Sequence, residues 1–392
     1  MMKAIVHTKL ILEDGIVWDG ALTYDGARII ECGKADEVKI PDDAEILDAK
    51  GLYTAPGLID IHNHGGPDNK FADDPIACLR HVLKHGVTTV LPTFYCDMTI
   101  PEMIAGAKKL QAVQSEYEYG GMIGGLYMEG PYMGGFGSNQ KDILHGGKID
   151  RKDYAGLIEQ TVGFARVWAI DPMREGIDGF MRDVKEIDGG AIFAMGHSHA
   201  TAEDCRRVRK YGLKLQTHHG DSGKAQGRAQ GTVGAGCDEY TLYDPDIYAE
   251  LIADENGIHV DPDMMRMVIR TKGVERVILI SDSMPDLHHY KNNEAEGILY
   301  GPDLNYDYEG HLAGSHLTLD HACRNVMAHT GCGICQAVRM ASLNPAKLLG
   351  IDDRYGSIEP GKAANLILTD DMMNVRTVIF EGIVLSEKIR DK

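Results

Sequence analysis

The 392-residue sequence lacks any apolar run close to the roughly 18 residues that a transmembrane helix needs, which excludes a membrane-spanning helix. Its first residues, MMKAIVHTKLILEDG, lack the long apolar core and small-residue cleavage site of a signal peptide, so we expect a cytoplasmic protein. Positive charge is scarce, because 40 Lys and Arg face 59 Asp and Glu. The resulting net charge of −19 argues against binding to nucleic acid or to an anionic membrane surface.

Cysteine is also sparse, with eight scattered residues and a single CxxC without a second pair. In a chain of this length that favours reduced thiols and excludes a small disulfide scaffold. What is present is the composition of a globular enzyme, 43% hydrophobic and 25% charged. The length allows two or three domains, or one large α/β barrel with an appendage.

Short runs of alternating apolar and polar residues, separated by Asp-Gly turns, occupy residues 1–55 and predict β-hairpins. The end of the chain, 351–392, repeats this style in GSIEPGKAANLILTDD and VRTVIFEGIVLSEK. We therefore predict that the two ends of the chain fold together into one small β domain, split by everything between them.

Buried apolar runs alternate with helical stretches of about 10–15 residues between 56 and 350, the pattern of repeated βα units. Eight such runs predict a closed (β/α)8 barrel of the TIM type. The runs are 57–64, 87–94, 122–130, 165–172, 190–198, 213–219, the weaker 257–260 (GIHV), and 276–283.

Most of these runs end in a polar side chain, and in a barrel such strand ends meet at the catalytic face. His62 and His64 form an HxH pair whose imidazoles project to one side of a strand, as a chelating pair must. Glu129, His197 and His218 end other predicted strands. Imidazole and carboxylate together suit one or two divalent ions, zinc first, with iron or manganese as alternatives.

Asp282 ends the last predicted strand, where it could take a proton from water and deliver it to a leaving nitrogen. The residues around it, SDSMPD, also suit a helix N-cap. Both hypotheses for Asp282 stay open at this point.

Seven strings, in order over nearly the whole chain, resemble the N-acetylglucosamine-6-phosphate deacetylases of the amidohydrolase superfamily. They are APGLIDIHNHGG, YMEGPY, GHSHA, LISDSM, LAGSHLTLDHACRN, ASLNPAKLLG and GSIEPGKAANLIL. The resemblance implies a metal-dependent (β/α)8 barrel with a small β-sandwich from both termini, in a cytoplasmic homodimer. It also implies hydrolysis of the acetamide of an amino-sugar phosphate to acetate and glucosamine 6-phosphate or a close isomer.

Carried over to this chain, the resemblance implies one metal site that is always occupied and a second that the HxH pair can complete. Glu129, His197 and His218 match the first site, His62 and His64 match the second, and Asp282 matches the acid/base. Residues matching the family's substrate pocket are Arg228 toward the phosphate, His259, and the loop residues Gly314 and Ser315.

Two strings depart from the family pattern and bear on the substrate. The string His218-His219-Gly220-Asp221 replaces an Asn-Ala peptide that contacts the phosphate end of the substrate. Asp221 would place a carboxylate near a phosphate unless it turns away. Asn139 stands where a histidine is expected, so it can donate a hydrogen bond but cannot carry charge.

Two alternatives stay open, and the departures support the first of them. The same barrel and metal could hydrolyse another N-acyl or cyclic amide that carries no phosphate. A catalytically idle metal-binding barrel is the other alternative, which the intact ligands and the intact Asp282 disfavour.

Overall fold

The computed structural model describes residues 1–135, 144–221, 223, 231–285, 301–307 and 310–385. No helix in these ranges is long and apolar enough to cross a membrane. All eight cysteines lie in these ranges and none is in a disulfide, as the sequence predicts.

Both ends of the chain contribute strands to one sheet, which confirms the predicted β domain. Tight turns at Glu13-Asp14 and Gly26-Ala27 join its first three strands into antiparallel hairpins. The carboxyl-terminal strand β16 pairs antiparallel with β5, for example at Leu368 and Thr54, and this ladder joins the two segments. The proposed limits of the segments, 1–55 and 351–392, stay predictions. The strands are β1 (Met2–Leu12), β2 (Gly15–Asp25), β3 (Arg28–Lys34), β4 (Glu45–Asp48), β5 (Tyr53–Pro56), β16 (Leu366–Thr369), β17 (Val375–Phe380) and β18 (Ile383–Val384).

A second sheet of eight parallel strands forms the barrel, in the order of the chain. Its strands are β6 (Leu58–Asn63), β7 (Val87–Tyr95), β8 (Leu126–Glu129), β9 (Ala165–Ile170), β10 (Ile192–Met195), β11 (Leu213–Gln216), β12 (Tyr248–Ile252) and β13 (Val277–Ile280). They are buried almost throughout, since helices cover the outside and side chains fill the inside. A short hairpin of β14 (Leu304–Tyr306) and β15 (Leu312–Ser315) follows β13 in the chain.

Several of the helices between the strands begin where the sequence supplies a side-chain cap. Asp74 accepts a hydrogen bond from the backbone of Ala77, and Thr99 forms a capping box with Glu102. The helices are α1 (Pro75–Lys84), α2 (Ile100–Glu116), α3 (Arg151–Thr161), α4 (Ile177–Ile187), α5 (Ala202–Val208), α6 (Cys237–Tyr243), α7 (Pro262–Lys272), α8 (Leu319–Thr330), α9 (Ile334–Val338) and α10 (Asn344–Leu349).

The seventh barrel strand is not where the sequence pattern predicts it, and the assignment of GIHV (257–260) was wrong. The strand is Tyr248–Ile252, whose five residues are all buried. The segment 257–260 is a loop, in which the carboxylate of Asp254 accepts a hydrogen bond of 2.8 Å from the backbone N–H of His259. A glutamate at the centre of YAELI hides the strand from an apolar pattern, because buried carboxylates are rare without a partner.

Side chains close the barrel between its first strand, β6, and its last, β13. The carboxylate of buried Asp60 accepts hydrogen bonds from the Ser281 hydroxyl at 2.6 Å and the Asn63 amide at 3.1 Å. An isolated parallel bridge joins Asn63 to Ser283 just beyond. Burial raises the pKa of Asp60 despite these hydrogen bonds. The network therefore brings the carboxyl ends of β6 and β13 side by side.

Candidate metal centre

Six side chains meet at the carboxyl ends of the barrel strands. His62 lies in β6 and His64 follows it, whereas Glu129 is the last residue of β8. His197, His218 and Asp282 each lie two residues beyond the end of their strands. All six are buried, with at most 7% of any residue exposed. The structure thus brings together the five predicted ligands and the predicted acid/base.

The six residues form two groups that could each hold a metal ion. The first group is Glu129, His197 and His218, and the second is His62, His64 and Asp282. Within each group the possible ligand atoms lie within 4.8 Å of one another. Both groups offer the imidazole nitrogens and carboxylate oxygens that divalent transition metals prefer.

Glu129 faces both groups at once. Its Oε1 atom lies 3.0 Å from Nε2 of His197 and 3.1 Å from Nε2 of His218. Its Oε2 atom lies 3.2 Å from Nε2 of His64 and 3.5 Å from Nε2 of His62. If each group held a cation, Glu129 could contribute one oxygen to each of them.

The electrostatics of the cluster favour positive charge. Burial disfavours the imidazolium of His62, but the surrounding carboxylates, with Asp282 contributing most, raise its pKa well above its ordinary value. Burial would likewise raise the pKa of Glu129, yet the neighbouring imidazoles hold that pKa well below its usual range. The same field that stabilises imidazolium would stabilise a divalent cation in its place.

One orphaned atom supports the fit of a cation. Nε2 of His62 is buried and makes no hydrogen bond within the described residues, although carboxylate oxygens of Glu129 and Asp282 lie 3.5 and 3.4 Å away. A buried imidazole nitrogen without a hydrogen bond is costly, unless its lone pair binds a metal.

Three of the six residues adopt left-handed backbone conformations that non-glycine residues rarely take. The φ angles are 47° at His197, 28° at His218 and 49° at Asp282. Each costs on the order of 1–3 kcal/mol, and such costs persist where the surrounding structure enforces the conformation. Packing near His197 is tight as well, since a Cβ atom on Gly134 would lie 2.3 Å from the His197 carbonyl oxygen.

All members of the cluster except His62 line a cavity of about 110 Å³ and form its floor. Its wall includes Lys70, Tyr95, Asp97 and Asp307, none of which the sequence analysis singled out. Lys70 is the one Lys or Arg among the described lining residues, and its ammonium lies 3.1 Å from Asp97. Tyr95 is the last residue of β7, and the other three lie in loops after strands, where no local pattern marks them as part of a cavity.

The predicted substrate residues fall into three classes. Asp221 and Gly314 line the cavity, and Asp221 lies 3.7 Å from Nδ1 of His218. His219, His259 and Ser315 are buried behind the cavity wall, and their direct contact with substrate stays a prediction. Asn139 and Arg228 lie outside the described residues.

The buried members of this set have specific partners. Nδ1 of His219 lies 2.6 Å from the amide oxygen of Gln216. Nε2 of His259 lies 3.2 Å from the carbonyl oxygen of Gly314. Ser315 donates a hydrogen bond of 2.6 Å to the carbonyl oxygen of Ser281 and so attaches the β14–β15 hairpin to the end of β13. These residues support the cavity wall.

Asp282 faces the histidines. Its Oδ1 atom lies 3.2 Å from Nε2 of His64 and 3.4 Å from Nε2 of His62. Burial opposes ionisation, but the positive charges of these two imidazoles lower the pKa of Asp282. In the described residues no helix begins at Asp282, so the geometry favours the acid/base hypothesis over the N-cap.

Glu250 is a further buried carboxylate that the sequence analysis missed. It lies at the centre of β12, and its Oε2 atom lies 3.1 Å from Nδ1 of His62. A strand assignment that allowed one charged residue within a buried run would have found it.

The model of the amidohydrolase family matches residues 53–385. An N-acetylgalactosamine-6-phosphate deacetylase of Escherichia coli O157:H7 is 32% identical over 344 residues, which cover 83% of this chain and 86% of that protein. An N-acetylglucosamine-6-phosphate deacetylase of Haemophilus influenzae is 28% identical over 345 residues, covering 82% and 84%.

Solved structures have the same fold. An N-acetylglucosamine-6-phosphate deacetylase from Pasteurella multocida superposes with a TM-score of 0.85, covering 98% of this chain and 99% of that one at 24% identity. A mutant of the enzyme from Mycobacterium smegmatis, in complex with N-acetyl-D-glucosamine-6-phosphate, gives a TM-score of 0.81 at 22% identity, covering 98% and 99%.

Proposed function

The chain belongs to the amidohydrolase family, and from that premise we propose that it hydrolyses the acetamide of an N-acetylated amino-sugar 6-phosphate. The products are acetate and the amino-sugar phosphate. The observation that carries the proposal is the carboxylate of Glu129. It contacts His197 of its own ligand group and His64 of the other group, and it lines the cavity. The sugar is N-acetylglucosamine or its galacto isomer, the two substrates for which the relatives are named.

Metal binding is assigned to the two groups as follows. Glu129, His197 and His218 would hold the first ion, and His62 and His64 with Asp282 would hold a second. When bound, a divalent cation acts as a Lewis acid that polarises a carbonyl and lowers the pKa of water. We propose zinc, with iron or manganese as alternatives, because all three accept imidazole and carboxylate ligands.

Asp282 is assigned the proton transfers. Its lowered pKa keeps the carboxylate ionised, so it can accept a proton from the attacking water. The water oxygen bonds to the carbonyl carbon, the C–N bond breaks, and the proton held by Asp282 passes to the leaving nitrogen. The low exposure of the cluster keeps bulk water away from these transfers.

Recognition of the phosphate is assigned to Arg228, on the family resemblance and on the suitability of a guanidinium for phosphate. On the same resemblance, we also propose that the protein is a cytoplasmic homodimer.

A second candidate function rests on the charges of the cavity wall. Asp97, Asp221 and Asp307 line the cavity, whereas Lys70 is paired with Asp97. Carboxylates bind sugar hydroxyls well but repel phosphate. The alternative substrate is therefore an N-acyl amide without phosphate.

Steady-state kinetics on four substrates test the proposal. The substrates are N-acetylglucosamine, N-acetylgalactosamine and their 6-phosphates, each assayed with metal-loaded and metal-depleted enzyme. We expect a higher kcat/KM for at least one phosphorylated sugar and no turnover by the depleted enzyme. Equal kcat/KM with and without phosphate would favour the second candidate, and full activity without metal would refute both.

A further inference from the structure

Glu250 connects the two ligand groups from beneath. Its side chain is fully buried in the middle of β12. Its Oε2 atom accepts a hydrogen bond from Nδ1 of His62 at 3.1 Å and another from the backbone N–H of His218 at 3.1 Å. Its Oε1 atom makes no hydrogen bond within the described residues.

The contact with His62 determines which ring nitrogen is available for a metal. An ionised carboxylate can only accept a hydrogen bond, so the proton of the neutral His62 ring lies on Nδ1. The lone pair that could bind a metal therefore lies on Nε2. Nε2 is the atom that faces Glu129 and Asp282. The ring of Tyr127 packs on the same imidazole, with centroids 4.5 Å apart, and restricts its rotation.

The contact with His218 is of a different kind. Glu250 accepts from the backbone of His218, whereas the side chain of His218 contacts Glu129 through Nε2. Loss of the Glu250 carboxylate therefore removes the side-chain partner of His62, whereas at His218 it removes a backbone partner only.

Charge balance also connects Glu250 to a cation. Glu129, Asp282 and Glu250 place three buried carboxylates around the HxH pair. A buried carboxylate with an unpartnered oxygen is unfavourable unless positive charge lies nearby. Within the described residues, the cationic partner of Glu250 is the imidazole of His62, which transmits the effect to whatever ion His62 binds.

We propose that Glu250 is a positioning residue for the second metal ion, acting through His62 and touching neither metal nor substrate. The inference rests on the proposed function, because it concerns the same metal centre. It assigns Glu250 a selective effect: occupancy of the His62, His64 and Asp282 group depends on it, whereas occupancy of the Glu129, His197 and His218 group does not.

Titration of metal-free protein with Co²⁺, followed by calorimetry and by the visible spectrum of the ion, tests this. The variants are Glu250→Gln and Glu250→Leu, with His62→Ala as the reference for loss of the second site. Asp183→Asn is the matched control, since Asp183 is a buried carboxylate that pairs with Tyr154 on the outer helices. We expect wild type and Asp183→Asn each to bind two ions, and the affinity for each ion to be the same in both proteins.

Glu250→Leu should bind the first ion as wild type does and the second about 10- to 100-fold more weakly, the usual effect of losing such a partner. The affinity of Glu250→Gln for the second ion should lie between those of wild type and Glu250→Leu, because its amide oxygen accepts the hydrogen bond but carries no charge. The near-isosteric Gln variant keeps the test valid if the Leu variant fails to fold. Equal melting temperatures of the metal-free proteins would exclude general destabilisation.

The outcomes separate the two proposals. A wild type that binds no ion and has no deacetylase activity refutes the proposed function. A wild type that binds a second ion, together with a Glu250→Leu variant that binds it equally well or loses both ions alike, overturns the role of Glu250. A wild type that binds one ion also overturns that role but leaves a mononuclear deacetylase standing.

Discussion

Nε2 of His64 and Oδ1 of Asp282 lie 3.2 Å apart, although they come from the ends of the first and the last strand of the barrel. The second ligand group therefore exists only where the barrel closes. Asp60 supports this closure, because its carboxylate receives hydrogen bonds from Asn63 on one strand and Ser281 beyond the other.

Replacing Asp60 with Asn should destabilise the protein. It should also weaken metal binding by the His62, His64 and Asp282 group more than by the Glu129, His197 and His218 group. The new amide places a donor where two donors already point, and an unsatisfied buried group costs roughly 1–3 kcal/mol. Urea denaturation of the metal-free proteins measures the loss of stability, and metal titration measures the loss of the second ion. An equal loss of affinity at both groups would contradict a local role at the barrel closure.

Replacing Asp282 with Asn keeps the shape of the side chain and removes the proton acceptor. We expect kcat to fall by a factor on the order of 10²–10⁴, the usual contribution of general acid–base catalysis. One ion should stay bound by the Glu129 group, which does not include Asp282. Wild-type turnover by this variant would mean that another group moves the proton.

Much of this centre could be predicted from the sequence, because parallel strands in a barrel bring their polar ends together. The HxH pair, Glu129 and His218 each stand at the end of an apolar run, and that local signal was sufficient. Glu250 could not be found in this way. Its burial is compensated by the imidazole of His62, a contact between distant parts of the chain, so an assignment that requires an uninterrupted apolar run misses it.

Backbone conformation was also beyond the sequence. His197, His218 and Asp282 adopt positive φ angles without the glycine or asparagine that usually marks such positions. The terminal β domain was predictable because its Asp-Gly turns are local, and its strand β16 pairs with β5 as expected from the shared pattern. The cavity wall depends on loops, whose arrangement follows from the whole fold.

Comparison of Glu129→Gln with His64→Ala should distinguish a bridging carboxylate from a ligand of one ion. His64→Ala removes one member of the second group, so the metal content should fall from about two equivalents to about one. Glu129→Gln should lose both ions, because Glu129 faces both groups. Elemental analysis after dialysis measures both. A Glu129→Gln protein that retained one full equivalent would contradict the bridging geometry.

His81 should make the protein less stable in mild acid. Burial, together with the positive charges of His85 and Lys84, lowers the pKa of His81 to about 4. At a pH between the unfolded pKa near 6.5 and the folded pKa, His81 is protonated in the unfolded chain but not in the folded protein. Stability is therefore lost as the pH falls through this window, by up to about 3 kcal/mol below it.

Chemical denaturation of wild type and His81→Asn between pH 7 and pH 4 measures this contribution. The variant cannot take up that proton, so its free energy of unfolding should fall less steeply with acid. Parallel curves would mean that His81 titrates normally in the folded protein.

We expect Arg228 to be the origin of any preference for phosphate. If Arg228 binds the phosphate, the 6-phosphorylated sugar should exceed the plain sugar in kcat/KM by at least roughly 10²-fold, the scale of a charge-assisted contact of about 3 kcal/mol. Lys70 offers the competing explanation, because it lines the cavity. Its ammonium, however, lies 3.1 Å from Asp97, and a partly exposed ion pair leaves little charge to spare for a ligand.

Arg228→Ala should therefore erase most of the preference, whereas Lys70→Met should change it by no more than about fivefold, the scale of such a pair. The ratio of kcat/KM for phosphorylated and plain N-acetyl sugars, measured in both variants, decides between the two cations. A preference that survives Arg228→Ala and disappears in Lys70→Met would place the phosphate at Lys70, on the side of the cavity that β6 and β7 supply.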